Sequence, residues 1–143
     1  MRKETLFLFA IIVVILDQIS KYLILSKIGI NNKLVIFNWL HLTVTMNEGI
    51  VFGMFKGANL IFIFITLILL GFILLFYEKI PKGNSLIISF GLILGGGLGN
   101  LIDRLIHGAV IDFINFQIWP IFNLADAAIT IGVILAIIKL WKE

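Results

Sequence analysis

Apolar and polar positions along the chain separate into four long apolar stretches and two segments with a shorter rhythm. A bilayer core of about 30 Å is crossed by about 20 mostly apolar helical residues. Leu60 to Tyr77 carries only Thr66 and Gly71 among apolar side chains, and Asn84 to Ile102 is uncharged throughout. The other two stretches are interrupted. Leu6 to Leu16 is wholly apolar, meets Asp17 and resumes at Tyr22 to Leu25, whereas Ile121 to Leu140 is broken by Asn123, Asp126, Thr130 and Lys139. Spanning helices are therefore expected near 5–26, 59–77, 84–104 and 121–140, within a single domain covering 1–143. Between the first two spans, Leu40, Leu42, Val44 and Met46 alternate with His41, Thr43, Thr45 and Asn47, which predicts a half-buried strand. A second β-like run, Val110 to Ile118, follows the third span. Glu78 to Gly83, with Pro81 and Gly83, reads as a turn. The fold class expected is a mainly α membrane protein, four transmembrane helices with a small antiparallel β-sheet on the outer face.

Composition removes the alternatives. The 143 residues are 61% hydrophobic and 13% charged, with a mean hydropathy of +1.15. A soluble domain is roughly 45 to 50% apolar, and one this short leaves too much surface exposed to hide the excess. The net charge of +3 rests on Lys and Arg scattered singly, with no basic stripe, so neither nucleic-acid binding nor disorder fits. The absence of cysteine excludes disulfides, thiolate nucleophiles and Cys-ligated metals. MRKET followed by apolar residues imitates a signal peptide, but no small-x-small cleavage site follows. An uncleaved first span holding Arg2 and Lys3 inside is expected, and four spans then place both termini in the cytoplasm. The charge balance is nearly even. Arg2, Lys3, Lys79, Lys82, Lys139 and Lys142 fall inside, against Lys21, Lys27, Lys33, Lys56 and Arg104 outside.

Of eight acidic residues, Asp17, Asp103, Asp112 and Asp126 stand where idle charge is costly. An ionisable residue at the centre of a spanning helix costs about 2.5 to 3.5 kcal/mol even on the lenient insertion scale, so it is read first as functional. At 1.5 Å per residue Asp17 lies about 18 Å along a helix starting near Thr5, in the outer half of the bilayer. The other three fall at the same depth. Their companions are Lys21 one turn after Asp17, Asn100 and Arg104 around Asp103, and Asn123 three residues before Asp126, spacings that place each set on one helix face. For Asp17 with Lys21 and Asp103 with Arg104, an ion-pair network stitching helices together competes evenly with a functional role. Asp112 and Asp126 have no cation within four residues in sequence. Two such carboxyls in a partly dry site suit general acid-base chemistry, because like charges held close cannot both ionise. One then draws a proton from water attacking an amide carbonyl while the other protonates the carbonyl oxygen. No Ser or Thr stands in a GxSxG or SxxK context, and His41 and His107 lack HExxH spacing, so they read as strand or interface residues and no metal or cofactor is expected. Gly91, Gly95 and Gly99 form a small-xxx-small register suited to close helix packing in lipid.

With these residues in view the sequence resembles the lipoprotein signal peptidase (signal peptidase II) family across nearly its whole length. Five motifs line up in order: DQISK at Asp17 to Lys21, NEGIVFG at Asn47 to Gly53, GGGLGNLIDR at Gly95 to Arg104, VIDFI at Val110 to Ile114 and FNLAD at Phe122 to Asp126. The resemblance implies an intramembrane aspartic endopeptidase of the bacterial plasma (inner) membrane that cleaves prolipoproteins before a diacylglyceryl-modified cysteine, near the outer leaflet. Asp112 and Asp126 would be the catalytic pair. Asp17, Lys21, Asn47, Gly49, Asn100, Asp103, Arg104 and Asn123 would support the pair or contact substrate. The partners implied are a lipid-modified prolipoprotein and membrane lipid, with the enzyme acting as a monomer and no nucleic acid involved. Two departures bear on the outer pocket: Ile50 and Val51 stand where the family often has small residues, and only 14 positions separate Asp112 from Asp126, which suggests a reduced flap.

Two other classes compete. A small non-enzymatic membrane protein with a buried polar cluster, such as a transporter subunit or assembly factor, would tolerate Asp-to-Asn changes beyond loosened packing. A rhomboid-like or site-two-like protease is disfavoured by the missing Ser-His pair and zinc motif.

Overall fold

The computed structural model describes residues 4–49, 58–80 and 84–141. Ile50, Val51 and Gly53 of the second motif, Pro81 and Gly83 of the expected turn, and the cations Arg2, Lys3, Lys56, Lys82 and Lys142 fall outside these. Four helices, α1 (Glu4–Ile28), α2 (Asn59–Phe76), α3 (Asn84–His107) and α4 (Leu124–Trp141), are long and apolar enough to cross a membrane. The end of α1, start of α2, end of α3 and start of α4 meet at one end of the bundle. A three-stranded antiparallel sheet in the order β1 (Lys33–Phe37), β2 (Leu40–Asn47), β3 (Val110–Asn115) lies at that end. The chain is therefore a mainly α, multi-pass membrane protein.

The bundle is built around α3, for a reason visible in its small residues. In lipid, helices gain nothing from hiding apolar surface, so association depends on close packing and on polar contacts. A Cβ at Gly91 would come within 2.8 Å of the Leu6 carbonyl oxygen and one at Gly95 within 2.6 Å of that of Ala10, so α1 lies directly against this face. Gly96 meets the Ala125 carbonyl of α4, and Gly97 leaves room for Leu70 of α2, whose Cδ2 would be 2.8 Å from a Cβ. Each neighbour thus has its own glycine. The register expected from Gly91, Gly95 and Gly99 divides: the first two pack helices, while a Cβ at Gly99 would sit 2.6 Å from the Asp17 carboxylate. On α1 the buried positions Leu6, Ala10, Asp17 and Lys21 form one stripe, apolar against Gly91 and Gly95 and charged beyond. Large apolar side chains such as Leu8, Ile68, Leu75 and Ile137 face outward, where lipid is their solvent.

The strand predicted over Leu40 to Asn47 is β2, central in the sheet and half-buried, with Val44 fully buried. Its partner β1 was not foreseen. Leu34 to Phe37 is an unbroken apolar run on an exposed edge, so it lacks the alternation that marks a one-sided strand. The run expected to reach Ile118 ends at Asn115, because the Asn115 side chain accepts the Gln117 backbone N–H at 2.8 Å and Gln117 adopts φ 67°. Similarly, the fourth helix begins at Leu124 rather than 121, since Phe122 remains extended and pairs with Ile114 of β3.

Candidate active site

The start of α4 organises the site. Asn123 is its N-cap: its side-chain oxygen accepts the Asp126 N–H at 2.9 Å, while Asp126 Oδ2 accepts the Asn123 N–H at 3.2 Å. This is a reciprocal capping box, with Asp126 in place of the usual Glu or Gln. A third orphan amide, that of Ala125, donates to Asp17 Oδ1 at 3.0 Å. Asn123 is therefore off the helix, not on one helical face with Asp126 as its spacing suggested. That position frees its amide nitrogen to reach Asp112 Oδ1 at 2.7 Å and Asn100 Oδ1 at 3.0 Å. One asparagine ties both carboxyls together.

Asp112 comes from β3 and is buried. Its other oxygen accepts Asn47 Nδ2 from β2 at 2.8 Å. Asn47 is held by its own turn: its Oδ1 accepts the Gly49 N–H at 2.9 Å, and Gly49 has φ 103° with the Phe62 ring where a Cβ would be. A side chain there would be strained and would also clash. Burial pushes the Asp112 carboxyl up to about 7. The hydrogen bonds from Asn47 and Asn123 and the charge of Lys21 oppose this, while the neighbouring Asp126 adds to it. Asp126 is tied to α3 through Asn100 Nδ2 at 2.7 Å.

Behind this pair lies a second polar cluster. Lys21, about 1% exposed, places its ammonium 2.7 Å from Asp17, 2.8 Å from Asp103 and 3.1 Å from Asn100 Oδ1. All three ammonium protons have acceptors. Gln18 Nε2 donates to Asp103 Oδ1 at 2.9 Å and reaches the Gly99 carbonyl, and the Ile111 N–H donates to Asp103 Oδ2 at 3.0 Å. The expected partnership of Asp103 with Arg104 does not form. Successive helical residues diverge by about 100°, so Arg104 turns to α2, where its guanidinium lies 5.4 Å from the centre of the Phe62 ring.

Asp17, Lys21, Asn47, Asn100, Asp103, Asp112, Asn123 and Asp126 are thus joined in one continuous network, with Gly49 shaping it and Arg104 at its margin. Gln18 was missed, although it stands inside the DQISK motif beside Asp17. The Asn-x-x-Asp spacing at 123 and 126 could have been recognised as a cap. No sequence signal pointed to the amides of Ala125 and Ile111.

Residues 9–142 match the family described as Signal peptidase (SPase) II. A lipoprotein signal peptidase of Halothermothrix orenii is 41% identical over 138 residues, covering 96% of this chain and 95% of that protein. One of Staphylococcus carnosus is 42% identical over 142 residues, covering 95% and 89%. Two solved structures of bacterial membrane enzymes superpose with TM-scores of 0.87 and 0.88 at 37% and 38% identity. They cover 97% and 98% of this chain and 88% and 94% of their own.

Proposed function

The chain belongs to the signal peptidase II family, and from that premise we propose that it is an aspartic endopeptidase removing the signal peptide of prolipoproteins, with Asp112 and Asp126 as its catalytic pair. As a peptidase of lipoprotein processing it has two tasks, to polarise an amide and to activate water. The observation that carries the assignment is the division of partners. Among the described residues, both salt bridges run from Lys21 to Asp17 and Asp103, whereas Asp112 and Asp126 are held by asparagine amides and backbone N–H groups. An ion pair fixes a carboxylate in its charged form. Neutral amide donors favour the anion less than an ammonium in contact does, and at Asp112 burial outweighs them.

The environments also separate the two roles. Asp126, at the first turn of α4 and held by Asn100 and the Asn123 N–H, takes the proton from the attacking water. Asp112, buried on β3, carries a proton near neutral pH and gives it to the carbonyl oxygen as the tetrahedral intermediate forms. Asn123 and Asn100 set the spacing, Asn47 orients Asp112, and the Lys21 cluster anchors Asn100. The reaction needs no cofactor. The single integral domain acts as a monomer in the bacterial plasma membrane, with both termini cytoplasmic and the sheet on the outer side. A lipid on the substrate cysteine then holds the scissile bond, which precedes it, at the depth of the pair.

The direct test is incubation of purified protein with a diacylglyceryl-modified prolipoprotein, read by gel mobility and by the new N-terminus. Release of a leader ending just before the lipidated cysteine is expected. No cleavage, or equal cleavage of the unmodified precursor, overturns the reading.

A further inference from the structure

Two clefts flank the carboxyl pair. One, of about 570 Å³, opens at the sheet among Asn47, Glu48, Asp112 and Pro120, and the other, of about 330 Å³, follows the first turns of α4 along Phe122, Asp126, Ala127 and Ile131. Asp112 thus lines one cleft and Asp126 the other. Trp119 lines both, and it is 67% exposed. The clefts differ in chemistry. The first presents the hydroxyl of Thr45 and the carboxyl of Glu48 beside Asp112. In the second, the Thr130 hydroxyl is already donated to the Asp126 carbonyl at 2.8 Å, so below the Asp126 carboxyl the wall is hydrocarbon. From Asp126 to Ile131 this groove runs about 7.5 Å down a membrane-spanning helix.

We propose that the α4 groove takes an acyl chain of the substrate's lipid, and that Trp119 is the specificity-determining side chain walling it off from the cleft that takes the peptide. The proposal rests on the lipoprotein-processing reading above. A peptide backbone brings amides that need partners, which only the first cleft supplies. A hydrocarbon chain laid in that cleft would instead strip water from Glu48 and Thr45 without replacing it. In the α4 groove the same chain meets Phe122, Ala127 and Ile131, continuous with the lipid-facing surface of the helix. Trp119 offers a large flat body at low cost in side-chain entropy, which suits a shared wall. The bond that straddles this wall is the one joining the leader to the lipid-bearing residue, and it lies between the two carboxyls.

The test uses one prolipoprotein peptide carrying either a diacetyl or a dioctanoyl glyceryl cysteine, the longer of which fills the groove, assayed with full-length protein in micelles of one detergent. KM for the wild type is expected to be lower for the longer chains. Trp119→Ala merges the clefts, and Ile131→Trp fills the groove from an exposed position that leaves folding intact. Each should shrink the chain-length preference by about tenfold, mainly through KM, as loss of a hydrophobic subsite does. Trp119→Phe should keep it. Unchanged preference in both Trp119→Ala and Ile131→Trp, with wild-type cleavage normal, overturns this proposal alone. A wild type that cleaves neither lipidated peptide overturns the function itself and this proposal with it.

Discussion

Two pairs of aspartates lie side by side and have opposite settings. Asp17 and Asp103 share the Lys21 ammonium, and each of their four oxygens also has, or shares with it, a donor from Gln18, Ala125 or Ile111. Asp112 and Asp126 receive neutral donors, from Asn47, Asn100 and Asn123. The side-chain type is the same in both. Partnership with a cation makes a carboxylate into scaffold, whereas a carboxyl held by neutral amides has weaker, uncharged contacts. The asparagines connect the pairs: Asn100 accepts from Lys21 on one side and donates to Asp126 on the other. The ion-paired cluster is thereby tied to the second pair through a single asparagine.

This contrast can be broken at several points. The largest effect is expected at the outer pair. Asp112→Asn and Asp126→Asn should each lower cleavage by about 10²- to 10⁴-fold, since acid-base groups contribute that much. The double variant should be no worse than either single one, because residues acting as a unit are not additive. Single-turnover cleavage by protein of normal thermal stability checks this, and full activity in either single variant would remove that residue from the mechanism.

At the inner pair the loss should appear first in stability. Lys21→Met leaves two buried carboxylates without their cation and should destabilise the fold by about 3 to 5 kcal/mol, measured by thermal unfolding in detergent. Gly99→Ala should cost about 1 to 3 kcal/mol as an overpacked site, since its Cβ would press on the Asp17 carboxylate at 2.6 Å. If Lys21→Met unfolded like the wild type and lost only activity, the distinction between scaffold and reacting pair would collapse.

The pH profile sharpens the comparison. Asp112 must hold a proton to act as the acid, so kcat/KM should fall as pH rises through about 7, the value to which burial lifts it. Asn47 opposes that rise by donating to the anion. Asn47→Ala should therefore move the alkaline limb to higher pH, with a lower maximal rate from lost orientation. A limb that stays in place or moves down would mean that another group sets it. The smallest effect expected is none: EDTA should leave the rate unchanged, and a reproducible loss restored by one divalent ion would refute a purely carboxyl mechanism.

Much of this was legible in one dimension because lipid imposes a simple grammar. A helix must satisfy its own backbone across the bilayer, so uninterrupted apolar length marked α2 and α3, and the alternation from Leu40 marked β2. Charge placed at a cost marked the four aspartates before any geometry was known, and the motif order indicated the family. Where local signals were weak the reading failed, as at the exposed edge strand β1 and at the ends of β3 and α4, which are set by a side-chain turn at Asn115 and by the pairing of Phe122 with Ile114.

What the sequence determined by itself, then, were the groups: which residues carry charge, and on which elements the four aspartates lie. Their partners were decided only by tertiary structure, because an ion pair or hydrogen bond depends on a few ångströms that spacing along one helix does not specify. Arg104 is adjacent to Asp103 in the chain yet turns to Phe62, while Lys21, 82 positions away, makes the pair. Asn123 appeared as a neighbour of Asp126 on a helical face and proved to be the cap that also holds Asp112. Asp112 and Asp126 had looked alike as acids without a nearby cation, and a buried strand and the first turn of a helix gave them different donors, Asn47 and Asn123 for one, Asn100 and the Asn123 N–H for the other.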